Sequence, residues 1–257
     1  MIFKRLYADL RAQNWLAIAI ELAIVIVGVF IGVQVANWNE ARIEKAATER
    51  MLDQLVPELG AQLEFFDSAE VYFATTRRFA DQALAAWQGD PAVSDERFVI
   101  AAYQATQIYG IGLNSENWTL TFGGEQLRNI EDPQIRRNLE VVLTQDYSVV
   151  EIDAVATPYR EQVRRLIPIR LQDQIRRACG DRELRKAGTI IYQLPPQCSV
   201  RLDPKEAHAT AAALRARRDL PGELNWHLAA VAVYVENALP LEDTIRALYR
   251  DLKGRSR

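Results

Sequence analysis

Residues 15–36 read WLAIAIELAIVIVGVFIGVQVA, an apolar run interrupted by a single charge, Glu21, and a single strong amide, Gln34. At about 1.5 Å of rise per residue, a helix over this run is ~33 Å long, enough to cross a hydrocarbon core of ~30 Å. Trp15 and Trp38 stand near its two ends, where amphipathic rings favour the headgroup level. The run therefore predicts one transmembrane helix over 15–36, anchored by these tryptophans at the two surfaces of a lipid bilayer.

A cleaved signal peptide is the alternative interpretation of the same run. The apolar region of such a peptide spans only ~7–15 residues, and Gln34 stands where its cleavage site requires a small residue. An uncleaved anchor is therefore the better interpretation. No later stretch is apolar enough to be a second span, because the best one, Leu228–Val235, ends at Glu236 after eight residues.

The charges that flank the run predict its orientation. Lys4, Arg5 and Arg11 precede it, whereas the acidic and basic residues that follow it balance. Basic flanks stay in the cytoplasm, so we expect a single-pass inner-membrane protein whose larger part lies in the periplasm of a Gram-negative cell. The three predicted regions are a cytoplasmic N-terminus, a transmembrane helix and a periplasmic domain, over residues 1–14, 15–36 and 37–257.

One face of the predicted helix combines a carboxylate with two glycines. At about 100° per residue, a narrow stripe contains Glu21, Val25, Gly28, Gly32 and Val35. A G-x-x-x-G pair lets a second helix approach closely, and an ionisable group at membrane depth usually faces protein. The stripe predicts a helix–helix interface, with a second copy of the chain or with another membrane protein. In the alternative interpretation, Glu21 lies at the cytoplasmic interface and the glycines are ordinary membrane-helix glycines.

The end of the run, VGVFIGVQVANWNE at residues 27–40, resembles the signature of a family of uncharacterised bacterial single-span inner-membrane proteins. That signature has a glutamate early in the anchor and ends in Gln-x-x-Asn-Trp-Asn-Glu. The matching residues are Glu21, Gln34, Asn37, Trp38, Asn39 and Glu40. Three residues depart from it, because Gly32, Val33 and Ala36 stand where the family has Ala, Leu and Asn. A second similar stretch is WTLTFGGEQLRNI at residues 118–130. The resemblance implies the membrane topology and no activity.

The composition of the 257 residues is that of an ordinary folded protein, with 49% hydrophobic and 25% charged residues. These values exclude long disorder and collagen-like repeats. The net charge of −3 argues against a nucleic-acid partner, which would need a strongly basic surface.

Beyond the anchor, the spacing of apolar residues is mostly helical. We predict a mainly α fold in which the transmembrane helix continues into an antiparallel helical bundle, with a kink or break near Pro57 and Gly60. One later helix is predicted from Ser94 through Tyr109, and a long helix from Asp132 toward Val155, which Thr157-Pro158 can restart or kink and Pro168 can again. Asp203 is predicted to begin a helix to about Asp219, and residues 222–239 and 241–252 complete the set. A short β-hairpin is expected near 189–202, with strands at 189–194 and 199–202 joined across Pro195 and Pro196.

Cys179 and Cys198 are the two cysteines of the chain. Outside the cytoplasm they can pair, and a disulfide is the first interpretation. Two free thiols come second. A metal site with His208 and His227 comes last, because zinc modules usually contain a close cysteine pair that is missing here.

Charge is distributed unevenly along the chain. Residues 37–158 have a net charge of −11 and residues 159–257 one of +7. The simplest interpretation is that basic helices pack beside acidic ones or face solvent. The functional interpretation is an anion site, for which the candidates are Arg164, Arg165, Arg176 and Arg177. The chain prefers Arg to Lys, 26 to 5, so a compositional bias is a further explanation.

Sequence motifs for catalysis are missing. The chain contains no G-x-S-x-G, H-E-x-x-H, P-loop or C-x-x-C pattern. We interpret His208 and His227 as structural and predict no catalytic residue, cofactor or metal site. The expected function is non-catalytic, in protein–protein interaction or self-association. The alternatives are an accessory or assembly subunit of a larger membrane complex, or a periplasmic ligand sensor without its own output domain.

Overall fold

Helices make up most of the structure, and one short antiparallel hairpin lies between them. The computed structural model describes residues 15–109, 125–145, 157–186 and 188–255. In chain order the elements are α1 (Trp15–Trp87), α2 (Asp95–Gln104), α3 (Glu125–Arg128), α4 (Pro133–Thr144), α5 (Pro158–Leu166), α6 (Ile169–Cys179), β1 (Arg182–Lys186), β2 (Thr189–Gln193), α7 (Pro204–Ala216) and α8 (Leu220–Arg255). The predicted mainly α class with a small hairpin is confirmed.

The first helix, α1, is 73 residues long and continues through Pro57, so a break at this proline was a wrong prediction. A proline inside a helix removes one backbone hydrogen bond. The cost is offset because Leu55, Leu59 and Leu63, on successive turns around it, are all buried. The chain divides into two units that meet between Met51 and Leu52, within this helix.

The predicted helix starts are confirmed by their caps. Asp132 Oδ1 accepts a hydrogen bond from the Gln134 amide at 2.8 Å, and Asp203 Oδ1 accepts one from the Glu206 amide at 3.0 Å. Ser94 and Thr157 cap α2 and α5 in the same way. Such side-chain oxygens satisfy amides that have no partner inside the helix.

Several predicted helix ends were wrong. Helix α2 ends at Gln104, before Tyr109, and α4 ends at Thr144; residues 146–156 of its predicted course lie outside the described residues. Helix α8 runs through Pro240 as one element, where two helices were predicted. Ala238 and Leu241 are buried on either side of this proline, so packing again outweighs one lost hydrogen bond.

The hairpin lies earlier in the chain than predicted. Strand β2 pairs with β1, which precedes it, in the register Arg182↔Gln193 to Lys186↔Thr189, and residues 199–202 form no strand. Gly188 has a φ of +81°, a conformation that glycine adopts without strain, and it supplies the tight turn. Pro195 and Pro196 have no amide to donate to a strand pairing. The sequence RELRK of β1 gave no strand signal because all five side chains are exposed.

The interior of the unit from Leu52 onward is built by α8, which packs against α4 and α5, and by α7, which packs against α2 and α5. Gly60 of α1 lies against Tyr249 of α8, since a Cβ on this glycine would be 3.4 Å from the tyrosine ring. At the centre, the hydroxyl of the buried Tyr159 donates to the Ala102 carbonyl at 3.0 Å. The hydroxyl of this buried side chain is thus paired with the backbone of a neighbouring helix.

Replacing Thr157 by Val tests this interior. The Thr157 hydroxyl caps α5 and lies 2.8 Å from Nδ1 of the buried His227. We expect the Thr157→Val protein to lose about 1–3 kcal/mol of unfolding free energy, because a buried ring nitrogen is left without its partner. Urea denaturation of the detergent-solubilised protein measures this loss.

Thr144→Val is the matched control, since the Thr144 hydroxyl donates only to the Glu140 carbonyl on an exposed helix face. Its expected effect is within about 0.5 kcal/mol. Equal losses in the two variants would contradict a special role of the Thr157 hydroxyl.

Candidate functional site

The apolar part of α1 is the first candidate site. Within the described residues, α1 is the one helix that is long and apolar enough to cross a membrane, and none of its most apolar window of 18 residues is buried. Trp15 and Trp38 are 66% and 68% exposed near the ends of this segment. The described part of the chain therefore contains one candidate membrane span, where the sequence predicts it.

The predicted glycine stripe is bare. A Cβ added to Gly28 or Gly32 would meet no atom within 4 Å. Val25 and Val35 of the same stripe are more than half exposed, and Glu21 is half-buried. No described side chain covers the two glycines, so a second helix has room to approach them.

Two residues of the Asn-Trp-Asn-Glu sequence make local contacts with Arg42. The Arg42 guanidinium lies 5.7 Å from the centre of the Trp38 ring, and its Nη2 donates to Asn39 Oδ1 at 3.3 Å. A cation over an indole face is attracted by the ring electrons. Trp38 and Asn39 therefore hold the Arg42 side chain beside the Trp38 ring.

Cys179 and Cys198 form a disulfide with a Cα–Cα distance of 5.3 Å. Cys179 is buried at the end of α6, and its carbonyl accepts a hydrogen bond from Gln104 Nε2 at 2.7 Å. The bond closes a loop that contains the β1–β2 hairpin. By the chain-entropy estimate, closure of such a loop contributes about 3 kcal/mol to stability.

The two histidines lie on different helices with different partners. His227 is 1% exposed and packs 5.7 Å from the Tyr159 ring, measured between ring centres. His208 is largely exposed, and its Nδ1 lies 2.7 Å from Asp95 Oδ2. Within the described part of the chain, no group of three His, Cys, Asp or Glu side chains is placed to bind a metal ion.

The four arginines predicted as anion ligands differ in their surroundings. Arg165 is exposed and pairs with Glu161, whereas Arg177 is exposed on α6. Arg176 pairs with Asp173 on its own helix. Arg164 is half-buried, and it donates to Thr106 and Gln107, which follow the end of α2.

Sequence reasoning missed Arg160 in this group. Burial lowers the pKa of Arg164, and the charges of Arg160 and Arg176 lower it further. Gln172 of α6 donates from Nε2 to the Arg164 carbonyl at 2.7 Å, so the turn of α6 before Arg176 packs against the end of α5. The signal was present in the sequence, because Arg160 precedes Arg164 by one helical turn and therefore shares its face of α5.

Comparison with known proteins found no family model, curated protein or solved structure that matches the chain. The resemblance of residues 27–40 to a family of single-span membrane proteins therefore stays a prediction.

The pKa of His227 predicts a pH dependence of stability. Burial, and next the charge of Arg160, lower this pKa to about 4, while a hydrogen bond with the Ala105 backbone acts in the opposite direction. The unfolded chain has its ordinary value near 6.5. Protonation therefore favours unfolding: the stability is complete above pH 6.5 and is lost as the pH falls toward 4. Between pH 7 and pH 5 we expect a loss of about 2 kcal/mol from this group.

Urea denaturation at both pH values measures this loss, and the comparison is between the pH slopes of wild type and His227→Gln. The slope is expected to be shallower in His227→Gln and unchanged in the control Thr144→Val, because the exposed Thr144 hydroxyl does not titrate in this range. An unchanged slope in His227→Gln would exclude the buried histidine as its source.

Proposed function

We propose that this chain is a single-pass protein of the bacterial inner membrane that works without catalysis, by association through its membrane helix. The N-terminus is cytoplasmic and residues 37–257 form a periplasmic domain. The observation that carries the proposal is the bare stripe of Gly28 and Gly32, which no described part of the chain covers. The partner is a second copy of the chain or a helix of another membrane protein.

The membrane location is supported by the exposure of the apolar segment of α1. Leu22, Ile26 and Phe30 are each more than half exposed. Removing such side chains from water is favourable by about 25 cal/mol of free energy for each Å² of apolar surface. In the hydrocarbon core of a bilayer, lipid tails surround the helix and remove its apolar side chains from water on every side. The basic residues before the segment support the cytoplasmic N-terminus.

The disulfide supports the periplasmic side for the larger part of the chain. Disulfides persist in oxidising compartments such as the bacterial periplasm and are rare in the cytoplasm. Cys179 and Cys198 both follow the candidate span, so a cytoplasmic N-terminus places them on the oxidising side. Two independent features, the flanking charges and the cysteine pair, therefore support one orientation.

Association is supported by the chemistry of the stripe. In a membrane, helices associate through close packing and polar contacts, because lipid tails are as apolar as the side chains themselves. Glycines at positions i and i+4 bring two backbones together, and a carboxylate such as Glu21 is more favourably placed against a polar group of a partner than in lipid.

Reporter fusions test the orientation. Alkaline phosphatase fused after Arg257 is expected to be active, because it folds only in the periplasm, whereas green fluorescent protein at the same position stays dark. Green fluorescent protein fused before Met1 is the control and is expected to fluoresce. The reverse pattern at the C-terminus would refute the proposed orientation.

Substitution of both glycines tests the association. We expect Gly28→Leu with Gly32→Leu to weaken association about tenfold or more, a change of at least ~1.4 kcal/mol, because the new side chains separate the helix backbones. Two measurements report the effect. One is crosslinking in membranes, and the other is the mass of the assembly after purification in mild detergent.

The matched control is Ala23→Leu with Val27→Leu, which has the same spacing on the opposite face of the helix. It is expected to associate as the wild type does. Retained association of the glycine variant would refute the interface. In the wild-type preparation, a multiple of the chain's own mass identifies self-association, and a co-purified membrane protein identifies an accessory subunit.

A further inference from the structure

Three arginines of α5 and α6 form a concentration of positive charge in the unit from Leu52 onward. Arg160 and Arg164 lie one turn apart on α5, and Arg176 lies on α6. Arg160 and Arg164 are half-buried. Gln172, one helical turn before Arg176, donates from Nε2 to the Arg164 carbonyl at 2.7 Å, which places this part of α6 against Arg164. The charges of Arg160 and Arg176 lower the pKa of Arg164. We call these three residues the arginine triad.

Arg164 is held in place by neutral groups. Its Nε donates to Thr106 Oγ1 at 3.0 Å, and its Nη2 donates to Gln107 Oε1 at 3.1 Å. The guanidinium lies 5.4 Å from the centre of the Tyr103 ring. A guanidinium has five N–H donors, so these contacts orient the group and leave donors for a ligand.

Negative charge is missing from these contacts. Within the described residues, neither Arg160 nor Arg164 forms an ion pair with a carboxylate, and Arg176 pairs only with Asp173, its neighbour on α6. The Asp181 carboxylate accepts a hydrogen bond from the Tyr72 hydroxyl at 2.8 Å, and in the described part of the chain it is not ion-paired with either half-buried arginine.

Other arginines of the basic half are paired with carboxylates of distant segments. The examples are Arg170 with Glu206, Arg215 with Asp95, and Arg246 with Asp67. Arg160 and Arg164 differ from these arginines, because a partly buried charge without a partner of opposite sign is unfavourable.

We propose that the arginine triad is a binding site for an oxyanion of the phosphate class. Phosphate offers several acceptor oxygens and up to two negative charges, and planar guanidinium groups bind such oxygens in pairs of parallel hydrogen bonds. Two sources share this chemistry, a soluble phosphate ester and the headgroup of an anionic lipid. The site is separate from the glycine stripe, so it stands or falls independently of the proposed association.

Thermal unfolding of the full-length protein in a neutral detergent tests the site. Inorganic phosphate is titrated at pH 8 against chloride at equal ionic strength. We expect a saturable rise in the melting temperature that reaches about 3 °C at ten times the Kd. No phosphate-specific rise in the wild type would overturn the proposal.

The test variant is Arg160→Gln with Arg176→Gln, which removes two charges and keeps the packing of Arg164 against Tyr103. The matched control is Arg165→Gln with Arg177→Gln, exposed arginines of the same two helices. The phosphate-dependent rise is expected to disappear in the test variant and to persist in the control. An equal rise in both variants would overturn the proposal, because any binding would then lie elsewhere.

A second titration distinguishes the two sources of phosphate. It uses a short-chain phosphatidic acid below its micelle concentration at the same molarity as inorganic phosphate. A larger rise with the lipid, lost in the test variant, supports a headgroup. An equal or smaller rise, also lost in that variant, supports a soluble phosphate. A lipid effect that persists in the test variant would count against the triad as the lipid site.

Discussion

The apolar side chains of residues 15–36 impose the strongest physical constraint on this protein. They lie on all sides of α1, and none of the most apolar window is buried by the chain itself. Exposing so much apolar surface to water is unfavourable, whereas lipid tails solvate it well. Within a bilayer, the helix also keeps its backbone groups hydrogen-bonded to one another. The proposed orientation, the compartment of the disulfide and the exposure of the glycine stripe all depend on this one segment.

The unit from Leu52 onward is held together by a different means, the burial of apolar side chains around a few paired polar groups. Trp87 donates from Nε1 to the Leu214 carbonyl at 3.1 Å, and Gln104 donates to the Cys179 carbonyl. With the Thr157–His227 pair, these bonds link helices that are far apart in sequence. Each such bond is available in only one arrangement of the helices, so it selects the native packing over similar ones.

The uneven charge of the chain has two explanations in the structure, each valid for different residues. Ion pairs join the basic half to the acidic half, as in Arg246 with Asp67 and Lys186 with Glu64, and they agree with the simple interpretation that basic and acidic segments pack together. Because these pairs are partly exposed, each contributes little stability. The arginine triad is different, since its half-buried members have neutral neighbours. Sequence alone cannot separate the two cases, because they differ in contacts and not in composition.

The sequence by itself determined the features that depend on neighbouring residues. The candidate span, the caps at Ser94, Asp132, Thr157 and Asp203, and the mainly α class could all be predicted, since each is set within a few turns of chain. Only the tertiary structure decided the continuation of helices through Pro57 and Pro240 and the neutral surroundings of Arg164. Those features depend on burial and charge between segments distant in sequence, where packing energy outweighs local preference.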